Sequence, residues 1–338
     1  MMALDMSHSS ISRRALCVGA AATLLCPGSR ARAREPGPFD EILALHPAFP
    51  HESTIPALAP YLERYGLRVD GGGRSLHGYV STPAGSLFTQ YFAPAQPRRV
   101  ALFLHGYLDH TGTFGDWVQD MLREGNAVVA FDLPGHGLST GIRTHISDFS
   151  EYQQALDYVL EHVSQVLGVT PEVAVGHSVG GAILADALLQ RPRWSRTVLV
   201  APLLHSQWWR VSQAGTRFLP TTQQTLLRLY HSASHDRAFA WSRFRDPLAP
   251  SRVSVEWTRA LFSWAEEVER RSPSEARVLI LQGSKDSVVD GRYSVERYEQ
   301  LFPRGRVQWL EGADHHLLYE AEPWRSQARL AALGELAS

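Results

Sequence analysis

A serine, an aspartate and a histidine follow one another along this chain, each just past a run of strand-forming residues. Ser178 sits in Gly176-His177-Ser178-Val179-Gly180, Asp286 follows the run at 278–282, and His315 lies within Glu311-Gly-Ala-Asp-His-His. A serine hydroxyl is a poor nucleophile near neutral pH. It needs an imidazole base within hydrogen-bond reach, itself oriented by a carboxylate. The three residues together suit acyl transfer through a covalent acyl-enzyme. Two neighbours compete for the roles, Asp290 for the carboxylate and His316 for the base. Asp286 is preferred because it lies directly past the strand end, His315 because of the Gly-Ala-x spacing before it.

The glycine-x-serine-x-glycine pattern fits a nucleophile elbow, a strained strand-to-helix turn that leaves the hydroxyl exposed. Glycines on either side let strand and helix approach closely. The competing reading is an ordinary strand–helix turn whose serine caps the helix. Acyl transfer also requires two backbone N–H donors for the oxyanion. Val179 supplies one. The loop after the apolar run 100–104 supplies the other, with Tyr107 N–H the candidate and its side chain not required. His105 reads as packing beneath that loop, and Asp132, Gly135, His136 and Gly137 as loop architecture.

These residues need a frame. Short apolar runs at 76–80, 86–92, 100–104, 127–132, 172–175, 197–204, 277–282 and 307–310 read as strands, the first two as an antiparallel edge hairpin. Helical periodicity marks 55–65, 117–123, 149–167, 182 onward, 293–301 and 324–336. The alternation predicts an α/β fold, a mostly parallel central sheet with helices on both faces. Residues 205–272 break the alternation. They carry no strand signal and many large apolar side chains, which predicts a helical cap with a greasy inner face over the site. The expected division is an N-terminal extension at 34–75, a core at 76–204 and 273–338, and the cap at 205–272.

Residues 1–33 read as a twin-arginine-type export signal: Arg13-Arg14, an apolar run at 15–26, then Ala31-Arg32-Ala33. Cleavage after Ala33 and a periplasmic or secreted location follow, with an uncleaved anchor or a disordered basic N-terminus as the alternatives. Both cysteines, Cys17 and Cys26, fall inside this segment, leaving the mature chain without disulfide, thiol nucleophile or cysteine-based metal site. A formal net charge of -1 gives no reason to expect nucleic acid as a partner.

Five spaced motifs carry a family resemblance: His105-Gly106-x-x-x-His110, Asp132-x-x-Gly-His-Gly-x-Ser-x-Gly141, Gly176-His-Ser-Val-Gly-Gly181, Gln282-Gly-Ser-x-Asp286 and Gly312-Ala-x-His315-x-Leu-Leu. The chain resembles the monoacylglycerol lipase and lysophospholipase branch of the α/β-hydrolases, the serine aminopeptidase-like group. The resemblance implies Ser178, Asp286 and His315 as the triad, Tyr107 and Val179 as the oxyanion hole, and residues 205–272 as the family's cap. It implies a serine esterase for single-acyl-chain lipids that needs no cofactor or metal and makes at most transient contact with a membrane surface. An aminopeptidase or amidase would need a carboxylate cluster in the cap. Glu266, Glu267 and Glu269 are acidic, but the adjoining Arg270 and Arg271 suggest a solvated helix face. A non-catalytic ligand-binding protein of the same fold is the third alternative.

Overall fold

The computed structural model describes residues 37–52, 55–220 and 222–338, so the export signal expected at 1–33 lies outside the described residues. In chain order come α1 (Asp40–Leu45), β1 (His51–Glu52), α2 (Ala59–Arg64), β2 (Arg74–Thr82), β3 (Gly85–Ala93), β4 (Arg99–Leu104), α3 (Gly115–Arg123), β5 (Asn126–Phe131) and α4 (Ser150–Leu167). The elbow strand β6 (Val173–His177), α5 (Val179–Gln190) and β7 (Arg196–Val200) follow. Next come α6 (Trp209–Phe218), β8 (Thr225–Leu227), α7 (Arg237–Phe244), β9 (Arg252–Ser254) and α8 (Val255–Val268). The chain closes with β10 (Val278–Gly283), α9 (Gly291–Leu301), β11 (Arg306–Leu310) and α10 (Trp324–Ala337).

Nine strands form one sheet in the order β1-β2-β3-β5-β4-β6-β7-β10-β11. From β5 to β11 the pairs are parallel, whereas β1, β2 and β3 join antiparallel. The central strands are apolar without interruption because both faces are covered. Leu102, Leu104, Ala174, Leu199 and Ile280 enter one apolar layer, and their neighbours Ala101, Phe103, Val175, Val198 and Leu281 enter the other. Parallel strands place all their carboxyl ends on one rim. That rim is where such sheets build their sites, and the loops carrying Tyr107, Ser178, Asp286 and His315 all leave from it.

Three expectations need correction. The β2–β3 hairpin is not itself the edge, because the two residues of β1 pair outside β2. The strand expected at 197–204 stops at Val200. Ala201 takes a left-handed φ of 46°, and Leu203 N–H donates to Ser178 O at 3.1 Å, so this apolar run leaves the sheet to back the elbow. The third concerns 205–272, where β8 and β9 pair as a small antiparallel ribbon. Three-residue strands are too short to show a period of two. In the N-terminal region the helix α1, which lies before the helical periodicity at 55–65, packs Ile42 beside Phe39, Leu58 and Tyr61 in the core.

Candidate active site

The elbow is built by close approach. A Cβ on Gly176 would lie 2.5 Å from the Gly180 carbonyl, and one on Gly180 would lie 2.3 Å from Leu104 O and 2.7 Å from His105 O. Backbone meets backbone there, so no larger residue fits. Ser178 bridges β6 and α5 at φ 53°, ψ −113°, a conformation rare for any residue with a Cβ. It stands at the N-cap position of α5 but makes no side-chain cap bond, which removes the helix-capping reading. Its backbone N–H donates to Val200 O at 2.9 Å, pinning the strained residue to the neighbouring strand.

At the end of β10, Asp286 is buried and every side of it is used. Its Oδ1 accepts from the amides of Val288 (2.9 Å) and Val289 (2.8 Å), and its Oδ2 from Gln282 Nε2 (2.8 Å). The same Oδ2 accepts from His315 Nδ1 at 2.9 Å. Burial alone would raise this carboxyl, but the His315 ring and the two amides outweigh it and hold the group below the usual carboxylate range. With Nδ1 committed to Asp286, Nε2 is the nitrogen of His315 left for a reacting group. The His315 ring centre lies 4.8 Å from that of His177 in the elbow, and the His315 backbone carbonyl is 3.4 Å from His177 Nε2. Among the described residues the Ser178 hydroxyl forms no hydrogen bond.

The rival residues go elsewhere. Asp290 caps α9, its Oδ1 accepting from Tyr293 N–H at 3.2 Å. His316 turns away from Asp286, stacks on His177 and accepts a hydrogen bond from Arg243 Nη1 at 2.6 Å. Burial, with Arg243 adding to it, holds His316 neutral far below the ordinary histidine range. Neither residue is available as base or orienting acid.

Tyr107 follows β4, which pairs with β6 so that Leu104 lies beside Gly176. The candidate oxyanion loop and the elbow are thus neighbours by strand register. Among the described residues, neither the Tyr107 amide nor the Val179 amide has a hydrogen-bond acceptor. Two free N–H groups flanking a strained serine form the arrangement an oxyanion requires. The loop is braced from below. His105 Nδ1 donates to Gly106 O at 2.8 Å while its Nε2 accepts from Leu133 N–H at 2.9 Å. Asp132 accepts from the amides of Thr111 (2.8 Å) and Leu138 (2.9 Å), in keeping with a role in loop architecture.

Sequence reasoning missed several residues. The Tyr107 side chain, set aside as dispensable, stacks on Trp257 at 3.6 Å and donates to Thr144 O at 2.9 Å. Glu320 is fully buried, and its Oε1 accepts from Asp314 N–H at 2.8 Å, which steadies the His315 loop. Arg243, in the last turn of α7, pairs with Asp109. None of these has a one-dimensional signature: Trp257 and Asp109 lie far in sequence from Tyr107 and Arg243 respectively, and the Glu320 contact, six residues from Asp314, follows no strand or helix period.

The fold and this arrangement define an α/β-hydrolase. The family model described as Hydrolase_4, serine aminopeptidase S33, matches residues 95–322. Monoglyceride lipase of Rattus norvegicus is 30% identical over 258 residues, which span 72% of this chain and 84% of that protein. Phospholipase YtpA of Bacillus subtilis (strain 168) is 27% identical over 243 residues, 67% of this chain and 91% of that one. Among solved structures, the monoacylglycerol lipase of Paleococcus ferrophilus superposes with a TM-score of 0.63 at 25% identity, covering 73% of this chain and 97% of that one. This chain belongs to the Hydrolase_4 (serine aminopeptidase S33) family, in its monoacylglycerol lipase-like branch, and is a serine ester hydrolase.

Proposed function

We propose that this enzyme hydrolyses single-acyl-chain lipid esters, monoacylglycerols or lysophospholipids, by a Ser178–His315–Asp286 acyl-enzyme mechanism. The observation that carries the mechanism is the His315 Nδ1 to Asp286 Oδ2 hydrogen bond of 2.9 Å, at the rim that also holds the strained Ser178 and the two free amides. His315 Nε2 takes the Ser178 proton as the hydroxyl oxygen attacks the ester carbonyl. Asp286 keeps the ring in the correct tautomer and stabilises the imidazolium. The Tyr107 and Val179 amides hold the oxyanion, each contributing about 3 kcal/mol to the transition state. His315 then gives its proton to the leaving alcohol, and water repeats the sequence on the acyl-enzyme. The Ser178–His315 hydrogen bond closes when substrate enters, since such links are often long in free enzymes.

The substrate class rests on the names of the relatives and on residues 205–272, which we take as the cap. Trp208, Phe218 and Trp241 there are 73%, 87% and 56% exposed, with Leu227 and Phe244 also open. An apolar surface of this kind suits transient contact with a lipid aggregate or membrane surface. Trp257 and Trp264 of the same segment are buried, so its aromatics divide between solvent and core. A peptidase reading is disfavoured because Glu266 and Glu267 face solvent, while Glu269 is taken by His205 and Tyr293.

The test is an assay of the purified protein against monoacylglycerols, lysophospholipids, short esters and aminoacyl-anilides, with Ser178→Ala as control. Turnover of the long single-chain esters, lost in the variant, is the expected outcome. Preference for the free-amino anilides would move the assignment to a peptidase. Silence on all four, with Ser178 unlabelled by a fluorophosphonate, would end the catalytic reading.

A further inference from the structure

The loop carrying the Tyr107 amide is braced from below by His105 and Asp132 and is gripped on its other side by residues 205–272. Three of its positions reach residues of 205–272. The Tyr107 ring stacks on Trp257, Asp109 forms an ion pair with Arg243, and His110 Nε2 lies 3.3 Å from Asp246 Oδ2. Arg243 in the last turn of α7 and Asp246, just past its end, grip two adjacent loop residues. The Arg243–Asp109 pair is buried, the two residues being 6% and 3% exposed. Arg243 also donates to His316 Nε2 at 2.6 Å, and His316 stacks on His177 with ring centres 5.0 Å apart. A single guanidinium from the cap therefore touches the oxyanion loop and the histidine loop, and through His177 it reaches the elbow.

Its charge matters as much as its reach. A Cβ placed on Gly106 would lie 2.9 Å from His177 Nδ1, 3.1 Å from Ser178 Cβ and 3.4 Å from Asp109 Oδ2, so the Asp109 carboxylate and the nucleophile's Cβ both lie against the same glycine, with Asp109 Oδ2 4.0 Å from His177 Nδ1. An uncompensated anion there would oppose the oxyanion that forms beside Ser178. Asp109, His177 and His316 bring ligand atoms within 4.8 Å of one another, a spacing that suits a cation. Arg243 already contacts two of the three, so a cationic side chain of the chain itself serves that cluster.

Building on the esterase reading, we infer that Arg243 is a positioning residue that makes the oxyanion hole depend on a seated cap. It neutralises Asp109 and fixes the 105–110 loop, so Ser178 reaches its full rate only when α7 is docked. Lifting the cap removes the guanidinium, frees the loop and leaves a carboxylate beside the nucleophile. Cap opening for substrate entry and loss of the oxyanion hole are then one event.

The test compares Arg243→Gln, Asp109→Asn and the double variant on a short soluble ester, which takes lipid binding out of the readout. Fluorophosphonate labelling rate and thermal midpoint are followed in parallel. Arg243→Gln is expected to lower kcat about 100-fold with KM little changed, the scale of losing one oxyanion donor. Removing the carboxylate as well relieves the repulsion, so the double variant should recover about tenfold over Arg243→Gln, although it has lost both partners. A purely structural pair predicts the reverse, a double variant no faster than the single one and losses that track the thermal midpoint. If Arg243→Gln does not fold, Arg243→Lys keeps the charge and loses the two-pronged fit, so kcat should fall less and adding Asp109→Asn should bring no recovery, and a recovery there overturns the inference. Wild-type kcat in Arg243→Gln, or no recovery in the double variant, overturns the inference. A wild-type protein that neither turns over ester nor takes up the probe overturns the esterase reading, and this one with it.

Discussion

The rim of the sheet and residues 205–272, the proposed cap, have opposite designs. At the rim, Asp286 has four hydrogen bonds, Ser178 is locked in a strained turn by strand and helix, and the glycines at 176 and 180 admit no added atom. In the cap, Trp208, Phe218 and Trp241 stand largely in water with few neighbours. A reacting centre gains from geometry fixed before substrate arrives. A surface that meets flexible lipid gains from apolar area and not from fixed geometry. Arg243 belongs by sequence to the second region and by chemistry to the first, which makes it the join between them.

The largest effect should come from disturbing the rigid side by a single group. Asp286→Asn keeps the size of the side chain but supplies an N–H donor where His315 Nδ1 needs an acceptor. The ring then rests in the wrong tautomer, with its proton on the nitrogen that should face Ser178. We expect kcat to fall about 10⁴-fold with little change in KM, the scale seen when this carboxylate becomes an amide in the serine protease template. Steady-state kinetics on a short ester read this directly. A loss below tenfold would mean that the rim geometry does not carry the rate, and the contrast with the cap would collapse.

The cap should respond selectively. Replacing Trp208, Phe218 and Trp241 together by serine removes apolar surface that is already exposed, so folding stability should barely change. Turnover of long-chain monoacylglycerol presented as aggregates should fall about tenfold, a loss of about 1.4 kcal/mol spread over three side chains. Turnover of a soluble short ester should stay within about twofold of wild type. Equal losses on both substrates would show that these side chains support the catalytic rim and not lipid capture.

The same contrast explains what the sequence could and could not disclose. The rim was legible because its parts are local: a strand, a tight turn and a nucleophile occupy Val173 to Val179 without a break. Period and spacing therefore placed Ser178, Asp286 and His315 at the carboxyl ends of strands that the structure brings to one rim. The anchoring of these groups was not legible. Arg243 meets Asp109 across 134 residues and Trp257 meets Tyr107 across 150, and neither pairing leaves a periodic trace. Outward and inward aromatics of the cap also look alike in a sequence. Trp257 and Trp264 are core, Trp208 and Trp241 are surface, and only their positions in the assembled cap separate them.

The smallest effect distinguishes the two regions by acid. His77 on β2 is completely buried beside Phe92, shares a 2.8 Å hydrogen bond with Ser75 Oγ at Nε2, and has no partner for Nδ1 among the described residues. Burial pushes its pKa down to about 3, and the same cause takes His136 to about 3. In the unfolded chain both return to about 6.5. Between those values the unfolded state binds more protons, so stability is full above about pH 6.5 and declines as the pH falls toward 3. His231 and His235, in residues 205–272, are exposed to solvent. Acid should therefore loosen the core that holds the rim. His77→Leu keeps an apolar side chain in the site and removes one of these protons. Its stability should then fall less steeply between pH 6 and pH 4 than that of wild type, by up to about 1.4 kcal/mol per pH unit. Denaturant unfolding at several pH values measures the slope, and an unchanged slope would mean that His77 is not among the groups that make the core sensitive to acid.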